Sequence, residues 1–337
     1  MSPSLLLHRL LQLLPVLLGV TVIVFGMMSL TPGDPAETML ANQNATPAQI
    51  ATLRHDMGLD RSLPVRFASF LTHAVQGDFG QSLFHHRPVA AVIAKRLPAT
   101  VELSAAALLF SLLLAIPLGV IAAVHRGGLL DRLATVGSLF GVSLPGFWFG
   151  ILLLLVFAVD FRLLPVSGAI DYASQPPTIT GFLILDSLLA LRLDSLGNAL
   201  AHLLLPAITL GLPMAAILMR VTRASMLEVL RQDYITFAEA KGLSRARILG
   251  LHALKNALLP TITVAAIETG SLLGGNMVVE TVFGWPGVGR LMFDALMQRN
   301  YQVLLGVFLI TSAMVVLFNL ITDLVYRFID PRIEFGR

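Results

Sequence analysis

The sequence contains no cysteine and few charged residues. The absence of cysteine from all 337 residues excludes disulfide bonds, thiolate metal sites and cysteine nucleophiles. Only 13% of the residues are Asp, Glu, Lys or Arg, whereas 56% are hydrophobic, and the mean hydropathy is +0.81. A soluble chain of this length would form about two domains, but this composition is typical of a protein that lies in a lipid bilayer.

Motifs of the common enzyme classes are also absent. The sequence has no G-x-x-x-x-G-K-[ST] nucleotide-binding loop, no G-x-G-x-x-G after a strand and no H-E-x-x-H zinc motif. The adjacent His85 and His86 would point about 100° apart on a helix, so we expect loop histidines there rather than a metal site. An active site, a cofactor and a bound metal ion are therefore not expected in this chain. Energy for any uphill transport would have to come from an ion gradient or from another subunit.

Six apolar segments are long enough to cross a bilayer, which requires about 20 mostly apolar residues. They lie near 9–30, 99–124, 134–158, 201–222, 261–283 and 304–327. Because backbone polar groups in lipid must be satisfied within the segment, each is expected to be a helix. The first run is longer than the core of a signal peptide, so we expect a retained helix, with a cleaved signal as the alternative. The predicted fold class is all-α, a polytopic membrane protein with six transmembrane helices.

The distribution of basic residues predicts how the spans are oriented. If the N-terminus is cytoplasmic, thirteen Lys and Arg residues fall in cytoplasmic segments and four in the short external loops. The other six lie in the first external loop, which is too long to influence orientation. This asymmetry predicts that both ends are cytoplasmic, including a tail at 328–337. It also explains the pI of 9.6 without a nucleic-acid partner.

The first external loop, about 31–98, is long enough to form a small helical subdomain that follows an N-terminal membrane helix at 1–30. Pro47 is a typical helix start and Gly58 a typical helix stop. A second helix is expected over 63–76. Pro88 could open a third, amphipathic helix that ends near Arg96.

Polar side chains that could act at membrane depth are scarce. Glu268 and Asn276 both fall within the predicted fifth span, 261–283. A carboxylate in that environment is energetically costly and marks a functional site by default. Both residues are therefore candidates for the translocation pathway. A purely structural hydrogen bond from Glu268 to a neighbouring helix is the alternative.

The segment 233–260, DYITFAEAKGLSRARILGLHALKNALLP, has the charge pattern of a surface helix rather than of a membrane span. Ile235 and Ala238 recur at helical spacing and Gly242 interrupts the pattern, which predicts a short helix followed by a glycine turn. Such a basic loop helix could rest on anionic lipid or be bound by another protein. The periodicity alone leaves both possibilities open.

A second helix is predicted to begin at Ser244. Its apolar face would contain Ile248, Leu251 and Leu254, and basic residues occupy the opposite side. We expect this helix to lie along the membrane surface, with Pro260 opening the fifth span.

Seven stretches of the sequence share an order and a spacing with a known family. They are YITFAEAKGLSRARILGLHALKNALLP at 234–260, TPGDP at 31–35, GDFGQSL at 77–83, RLPATVEL at 96–103, SLPGFWFGILLLLVFAV at 143–159, LLPVSG at 163–168 and ETVFGWPGVGRLMFDAL at 280–296. Together they resemble the permeases of binding-protein-dependent ABC importers, in the group that carries dipeptides, oligopeptides and nickel. The form that the sequence resembles most is the first, B-type permease subunit of a dipeptide transporter. The resemblance covers essentially the whole chain.

The sequence departs from the family pattern in two places. Thr236-Phe237-Ala238 stand where the general pattern has Glu-Ala-Ala, and Asn300-Tyr301-Gln302 stand where it favours Asp-Tyr-Pro. Gly242 and its surroundings therefore support the resemblance better than any single acidic residue does.

The resemblance implies that several proteins share the work of transport. The chain would form half of a translocation pore with a second, homologous permease subunit, surrounded by lipid of the bacterial inner membrane. Two separate ATP-binding subunits would bind ATP and Mg²⁺, and a periplasmic binding protein would deliver a peptide substrate. The permease core would cover 99–327, with a cytoplasmic coupling loop at 223–260.

The resemblance also indicates which residues would contact the ATPase. They are Asp233, Tyr234, Thr236, Ala238, Glu239, Lys241, Gly242, Leu243, Arg245 and Arg247. The alternative function is a secondary transporter driven by an ion gradient, which would need no ATPase.

Overall fold

The described residues are mostly helical and contain almost no strand, as the sequence predicts. The computed structural model describes residues 3–30, 34, 36–37, 45–56, 58–82, 84 and 86–329. The helices of the first half are α1 (Pro3–Leu30), α2 (Pro47–Asp56), α3 (Leu63–Val75), α4 (Val89–Val124), α5 (Leu129–Ser143) and α6 (Gly146–Leu153). A π-helical turn, Leu154–Asp160, extends α6. Two short antiparallel strands, β1 (Gln81–Ser82) and β2 (Arg87–Pro88), precede α4.

The second half contains the longest helices and a second π-helical turn. Its helices are α7 (Leu183–Leu189), α8 (Leu193–Val229), α9 (Asp233–Ala240), α10 (Arg245–Arg247), α11 (Leu254–Leu273), α12 (Met277–Val282), α13 (Val288–Met297) and α14 (Tyr301–Ile329). The π-helical turn Ile248–Ala253 joins α10 to α11. The chain forms two compact units. The first unit contains Met1–Thr100, Gly274–Met277 and Pro286–Leu317. The second unit contains Val101–Leu273, Val278–Trp285 and Phe318–Arg337.

Four helical stretches are long and apolar enough to cross a membrane. They are α4, α8, Arg245–Leu273 and Tyr301–Thr322. The pair α5 and α6 forms a fifth only if it counts as one span, because the two helices are bent by 102°, and α1 contains a shorter apolar stretch, Leu17–Met27. The described residues thus contain four or five candidate spans, and the predicted number of six is not confirmed. From 330 onward the predicted tail 328–337 lies outside the described residues.

The predicted third span, 134–158, is not one continuous helix. Helix α5 ends at Ser143, and Leu144 is extended, with φ −78° and ψ 128°. Leu144 precedes Pro145, and the proline ring disfavours helical backbone angles in the residue before it. Pro145, which is visible in the sequence, therefore explains the bend between α5 and α6.

The predicted bounds of the fifth span, 261–283, are wrong at both ends. Pro260 lies inside α11 rather than opening it, since a membrane helix can tolerate a proline where neighbouring groups satisfy the freed carbonyl. The helix ends at Leu273, because Gly275 follows with φ +86°. A Cβ atom on Gly275 would lie 2.8 Å from the backbone nitrogen of Gly289, so this turn requires glycine.

The first two helices predicted for residues 31–98 are confirmed. Helix α2 begins at Pro47 and ends before Gly58, whose φ is +63°. The Thr46 N–H donates to Oε1 of Gln49 at 2.8 Å, which is one half of a capping box at the start of α2. Helix α3 coincides with the predicted helix at 63–76 to within one residue.

The first unit has an apolar core built from the beginning of α4, from α13 and from the beginning of α14. Its buried members are Val89, Val92, Ile93, Val288, Leu291, Ala295, Val303, Leu304 and Val307. Two buried hydrogen bonds accompany this core. The Val288 N–H donates to the Thr100 hydroxyl at 2.8 Å, and the Asn300 amide donates to the Ser82 hydroxyl at 3.1 Å. Both bonds satisfy polar groups that would otherwise be costly to bury.

The packing of this core explains why the helix of the predicted second span, 99–124, begins earlier than predicted. Helix α4 begins directly after Pro88 but runs without a break to Val124, so the expected third external helix is not separate. Burial of Val89 and Ile93 favours continued helix through Pro98, because tertiary packing supplies most helix stability. The predicted domain boundary after Pro98 therefore falls inside a continuous helix.

In the second unit, α4 and α8 pack closely because both have glycine where they meet. A Cβ atom on Gly211 would lie 2.7 Å from Cδ1 of Phe110, and one on Gly119 would lie 2.9 Å from the Met219 carbonyl oxygen. Small residues of this kind let helix backbones approach each other in membranes. The Ser111 hydroxyl also lies 2.8 Å from the Gly211 carbonyl oxygen.

A buried carboxylate holds the loop that precedes α7. Asp186, in α7, accepts the backbone N–H groups of 179–181 at 2.7–3.2 Å and the Thr180 hydroxyl at 2.6 Å. Burial raises the pKa of Asp186, but these hydrogen bonds outweigh it and the net pKa lies below its ordinary value. This stabilisation is complete above about pH 4 and is lost as the pH falls through the folded pKa. Glu102 accepts the Ile184 N–H at 2.8 Å.

A partly shielded ion pair connects the first turn of α5 to the last turns of α8. Arg223 contacts both carboxylate oxygens of Asp131, and the distance from Nη2 to Oδ2 is 2.8 Å. The Gly127 N–H also donates to Asp131, at 2.9 Å. The Asp131 side chain is 7% exposed and that of Arg223 is 28% exposed. Two-pronged contacts between Arg and a carboxylate are among the stronger polar interactions in proteins.

We expect Asp131→Asn to lower the free energy of unfolding by about 1–3 kcal/mol, because it leaves the Arg223 guanidinium without its counter-charge. The measurement is the apparent melting temperature of the purified chain in detergent. Asp160→Asn is the matched control, since Asp160 is exposed. Equal melting temperatures for the two variants would contradict a stabilising role for the pair.

Candidate functional site

The segment Asp233–Arg247, called the docking segment below, consists of α9, a glycine turn and α10. Ile235 and Ala238 are 2% and 6% exposed, and every other side chain of α9 is exposed. Their separation of three residues places both on one side of an α-helix. The prediction of a short helix with one apolar side is therefore confirmed.

The buried side of α9 packs on the ends of three longer helices. Ile235 and Ala238 belong to an apolar cluster whose other buried members come from α4, α8, α11 and the π-helical turn. Those members are Ala123, Met226, Ile248, Ala253 and Ala257. Because alanines form most of this cluster, the backbones can approach closely, and α9 is held against three candidate spans at once.

A Schellman motif ends α9, and it requires Gly242. The Gly242 N–H donates to the Glu239 carbonyl at 2.9 Å, and the Leu243 N–H donates to the Ala238 carbonyl at 3.3 Å. Gly242 has φ +74° with nothing near its missing Cβ. Backbone strain, and not space, is therefore what selects glycine here. Leu243 and Ala238 also share the apolar cluster, which is the contact that accompanies this motif.

The second predicted helix begins directly after Ser244, as predicted, but residues 248–253 form a π-helical turn within a helical stretch that continues to Leu273. The expected apolar face is therefore wrong at one position, because Leu251 is 60% exposed. A π-helical turn bonds residue i to i+5 and so rotates later residues relative to an α-helix. Ala253 takes the buried position instead. Spacing alone could not reveal this change of period.

The exposed side of α9 presents two aromatic rings. Phe237 is 61% exposed, and the Lys241 ammonium lies 4.5 Å from the centre of its ring. Tyr234, one turn earlier, is 41% exposed, and its hydroxyl accepts a hydrogen bond from the Asn256 amide at 2.9 Å. Exposed aromatic residues beside cations are typical of protein-binding surfaces.

The structure separates the ten predicted ATPase-contact residues into two groups. Eight are exposed, namely Asp233, Tyr234, Thr236, Glu239, Lys241, Gly242, Arg245 and Arg247. Ala238 is buried and Leu243 is half-buried, so these two support the helix and do not form its exposed surface. That the exposed residues contact an ATPase stays a prediction.

Phe237 was not among the predicted contact residues. It lies between two of them and is more exposed than Tyr234, the other large hydrophobic side chain on the exposed side of α9. The sequence did contain a signal, since a phenylalanine falls on the polar side of an otherwise regular pattern. An amphipathic pattern predicts which positions of a helix are buried, so it does not identify an exposed aromatic residue.

The two candidates for the translocation pathway lie in different surroundings. Glu268, in α11, is half-buried, and its carboxylate has no hydrogen bond or ion pair to any residue that the structure describes. Asn276 lies in the turn after α11 and not within a span. Their role in a pathway stays a prediction. Within the described ranges, no three His, Asp or Glu side chains are close enough to hold a metal ion.

Comparison with known families matches nearly the whole chain. The family described as "Binding-protein-dependent transport system inner membrane component" matches residues 115–335. The family described as "Binding-prot-dependent transport system membrane comp, N-term" matches residues 3–104.

Curated relatives match along almost their entire length. The di/tripeptide transport system permease protein DppB of Pseudomonas aeruginosa (strain UCBPP-PA14) is 41% identical over 330 residues, covering 98% of both chains. The dipeptide transport system permease protein DppB of Escherichia coli (strain K12) is 39% identical over 331 residues, covering 97% of this chain and 98% of the relative. The glutathione transport system permease protein GsiC of Salmonella paratyphi A (strain ATCC 9150 / SARB42) is 38% identical over 329 residues, with 98% of both chains covered.

A solved structure shows the same fold. An inward-facing structure of the MetNI methionine ABC transporter matches with a TM-score of 0.54 and 16% identity, covering 71% of this chain and 96% of that chain. At this identity the match shows the fold alone. The resemblance inferred from the sequence motifs is confirmed by the family matches and by the curated relatives. The chain therefore belongs to the family of binding-protein-dependent transport system inner membrane components.

Proposed function

We propose that this chain is the B-type permease subunit of an ATP-driven importer of dipeptides or other short peptides. Two of the relatives that it matches along nearly their full length are di- or tripeptide permeases by name. The observation that supports the proposal most directly is α9, a short helix with an exposed aromatic side and a buried side packed on three candidate spans.

This arrangement suits the transfer of movement into the membrane. Because Ile235 and Ala238 share an apolar cluster with residues of α4, α8 and α11, α9 cannot shift alone without opening gaps in close packing. The glycine cap fixes the end of α9, so the helix would move as one body. An ATPase that closes on its exposed side would tilt the attached spans and shift the pore between two open states.

The proposal defines what other subunits must contribute. This chain would have no catalysis of its own and would form half of the pore with a second, homologous permease subunit. Two ATPase subunits would bind ATP and Mg²⁺, and a periplasmic binding protein would deliver the peptide. With both ends of the chain cytoplasmic in the bacterial inner membrane, the docking segment lies on the ATPase side.

The energy source distinguishes this proposal from an ion-driven transporter, for which the half-buried Glu268 is the supporting observation. We expect peptide uptake to stop when ATP is depleted and to continue when an ionophore collapses the proton gradient while ATP is maintained. Radiolabelled dipeptide uptake into cells that express the chain with its companion subunits measures both conditions. Uptake that persists without ATP and requires the gradient would reject the proposal and favour the alternative. The variant Glu268→Gln should leave the ATP dependence unchanged.

Replacing Gly242 by valine should prevent the ATPase subunits from co-purifying and should reduce uptake by at least tenfold. A β-branched residue in the left-handed backbone region costs about 1–2 kcal/mol and would displace the end of α9. Gly242→Asn should retain most activity, because asparagine tolerates this conformation.

The matched control for Gly242→Val is Gly77→Val, at a glycine with φ +78° and equally open surroundings. It introduces similar strain at a residue of the first unit that is not part of the docking segment, and it should leave the ATPase bound. If Gly242→Val retains full uptake, Gly242 is not needed for coupling.

Truncating Phe237 to alanine should weaken ATPase binding by roughly tenfold or more, as expected for an aromatic residue at the centre of an interface. Because its ring is mostly exposed in the isolated chain, the variant should fold normally and reach the membrane. Phe161→Ala is the control, since Phe161 is 64% exposed but lies outside the docking segment. A pull-down with tagged permease measures the retained ATPase. Equal retention by both variants would show that Phe237 is not an anchor.

A further inference from the structure

A cavity in the first unit has the features of a ligand site that is separate from the docking segment. Its volume is about 530 Å³, and its walls come from α1, α2, the turn at 58–61, α3, the turn at 77–81 and the beginning of α14. Cavities of this size commonly hold small organic ligands. We call it the Arg61–Arg66 cavity after the two cations that line it.

The two guanidinium groups in this cavity have no carboxylate within ion-pair distance among the described residues, although Asp60 attracts Arg61 over a longer distance. Neither Arg61 nor Arg66 forms an ion pair with a residue that the structure describes. The neighbouring acid Asp60 instead bonds His55, with Nδ1 and Oδ2 2.9 Å apart. Asp78, also in the lining, accepts the N–H of Gly80 at 2.9 Å. Two unpaired arginines in one concave site favour an anionic ligand, above all a carboxylate, whose two oxygens suit the guanidinium fork.

A buried acceptor adds a second requirement. Oε1 of Gln302, in the first turn of α14, is buried and has no hydrogen-bond partner among the described residues. A buried acceptor without a donor is costly. Other atoms of Gln302 line the cavity, so a rotation of its amide would bring this oxygen to a ligand that donates an N–H group, and the bond would remove that cost.

The remaining lining is aromatic. Phe25 of α1 and Phe70 of α3 stack with ring centres 6.3 Å apart, and both line the cavity together with Phe79. Arg66 also lies 5.9 Å from the centre of the Phe25 ring, which orients its guanidinium beside the aromatic surface. An apolar side chain of a ligand could pack on these rings.

A carboxylate, an N–H donor and an apolar side chain occur together at the C-terminal end of a peptide. We propose that the Arg61–Arg66 cavity binds the C-terminal end of a short peptide directly on the permease. Its carboxylate contacts Arg61 and Arg66, a backbone N–H donates to Gln302 and the last side chain packs on the phenylalanines. The choice of a peptide rests on the proposed function, whereas the requirement for an anion that also donates a hydrogen bond rests on the cavity.

Binding of tritium-labelled Ala-Ala-Phe tests the proposal. The full chain, with whatever subunits co-purify, is placed in nanodiscs of zwitterionic lipid without nucleotide and without a binding protein. We expect saturable binding that weakens roughly tenfold or more when the peptide carries a C-terminal amide, because the charge-assisted contact is lost. This comparison uses unmodified protein, so no folding defect can imitate it.

Three variants locate the site. Arg61→Gln should weaken binding of the free acid roughly tenfold but barely change binding of the amide. Amidation of the peptide and substitution of Arg61 both remove the same carboxylate–guanidinium contact, so the second change has little left to remove. Gln302→Leu should weaken both ligands roughly fivefold, because the lost acceptor bonds an N–H that both retain. Arg87→Gln is the control, at an exposed arginine close in sequence that does not line the cavity.

The proposal is overturned by absence of saturable binding, by equal binding of acid and amide, or by Arg61→Gln behaving like Arg87→Gln. ATP-driven uptake by the same preparation separates these failures from failure of the proposed function. Uptake of the peptide without binding in the cavity would reject only this inference. Binding in the cavity by a chain that recruits no ATPase would reject only the proposed function.

Discussion

The docking segment depends on the burial of two side chains, Ile235 and Ala238. Without that contact α9 would be an isolated helix of eight residues, which is too short to be stable in water. The residues that bury it belong to α4, α8 and α11. The contact that folds α9 is therefore the same contact that attaches it to the candidate membrane spans. A surface element held in this way can pass movement inward, whereas a loop folded on itself could not.

Charged residues are few in this sequence, and three of the acidic ones have specific structural roles. Asp186 gathers the N–H groups of one loop, Glu102 satisfies the first turn of α7, and Asp131 holds Arg223 and the turn at Gly127. Each of these acids compensates for its burial by bonding groups that would otherwise be unsatisfied. The two arginines of the Arg61–Arg66 cavity differ from Arg223, because neither forms an ion pair with an acid that the structure describes, although both line one concave site.

Local features of the fold could be predicted because neighbours in the chain determine them. Pro47 and Gly58 mark the ends of α2, and Gly242 ends α9 through backbone geometry that few other residues accept. The continuity of α4 could not be predicted, since it depends on a core shared with α13 and α14. The Arg61–Arg66 cavity was missed for the same reason, because its lining extends from Phe25 to Leu305. Phe237 could have been found, had exposed aromatic residues been considered beside buried ones.

The π-helical turn Ile248–Ala253 has a consequence for how this segment tolerates insertions and deletions. A π-helical turn accommodates one more residue than the corresponding α-helical turn, and each residue of an α-helix corresponds to about 100° of rotation. Losing a single residue there could leave α9 and α11 individually intact while turning one about its axis relative to the other. The number of residues near position 250 therefore determines how α9 is rotated relative to α11. A homologue with one residue fewer at this point would have the same α9 packed on a span that is rotated about its axis.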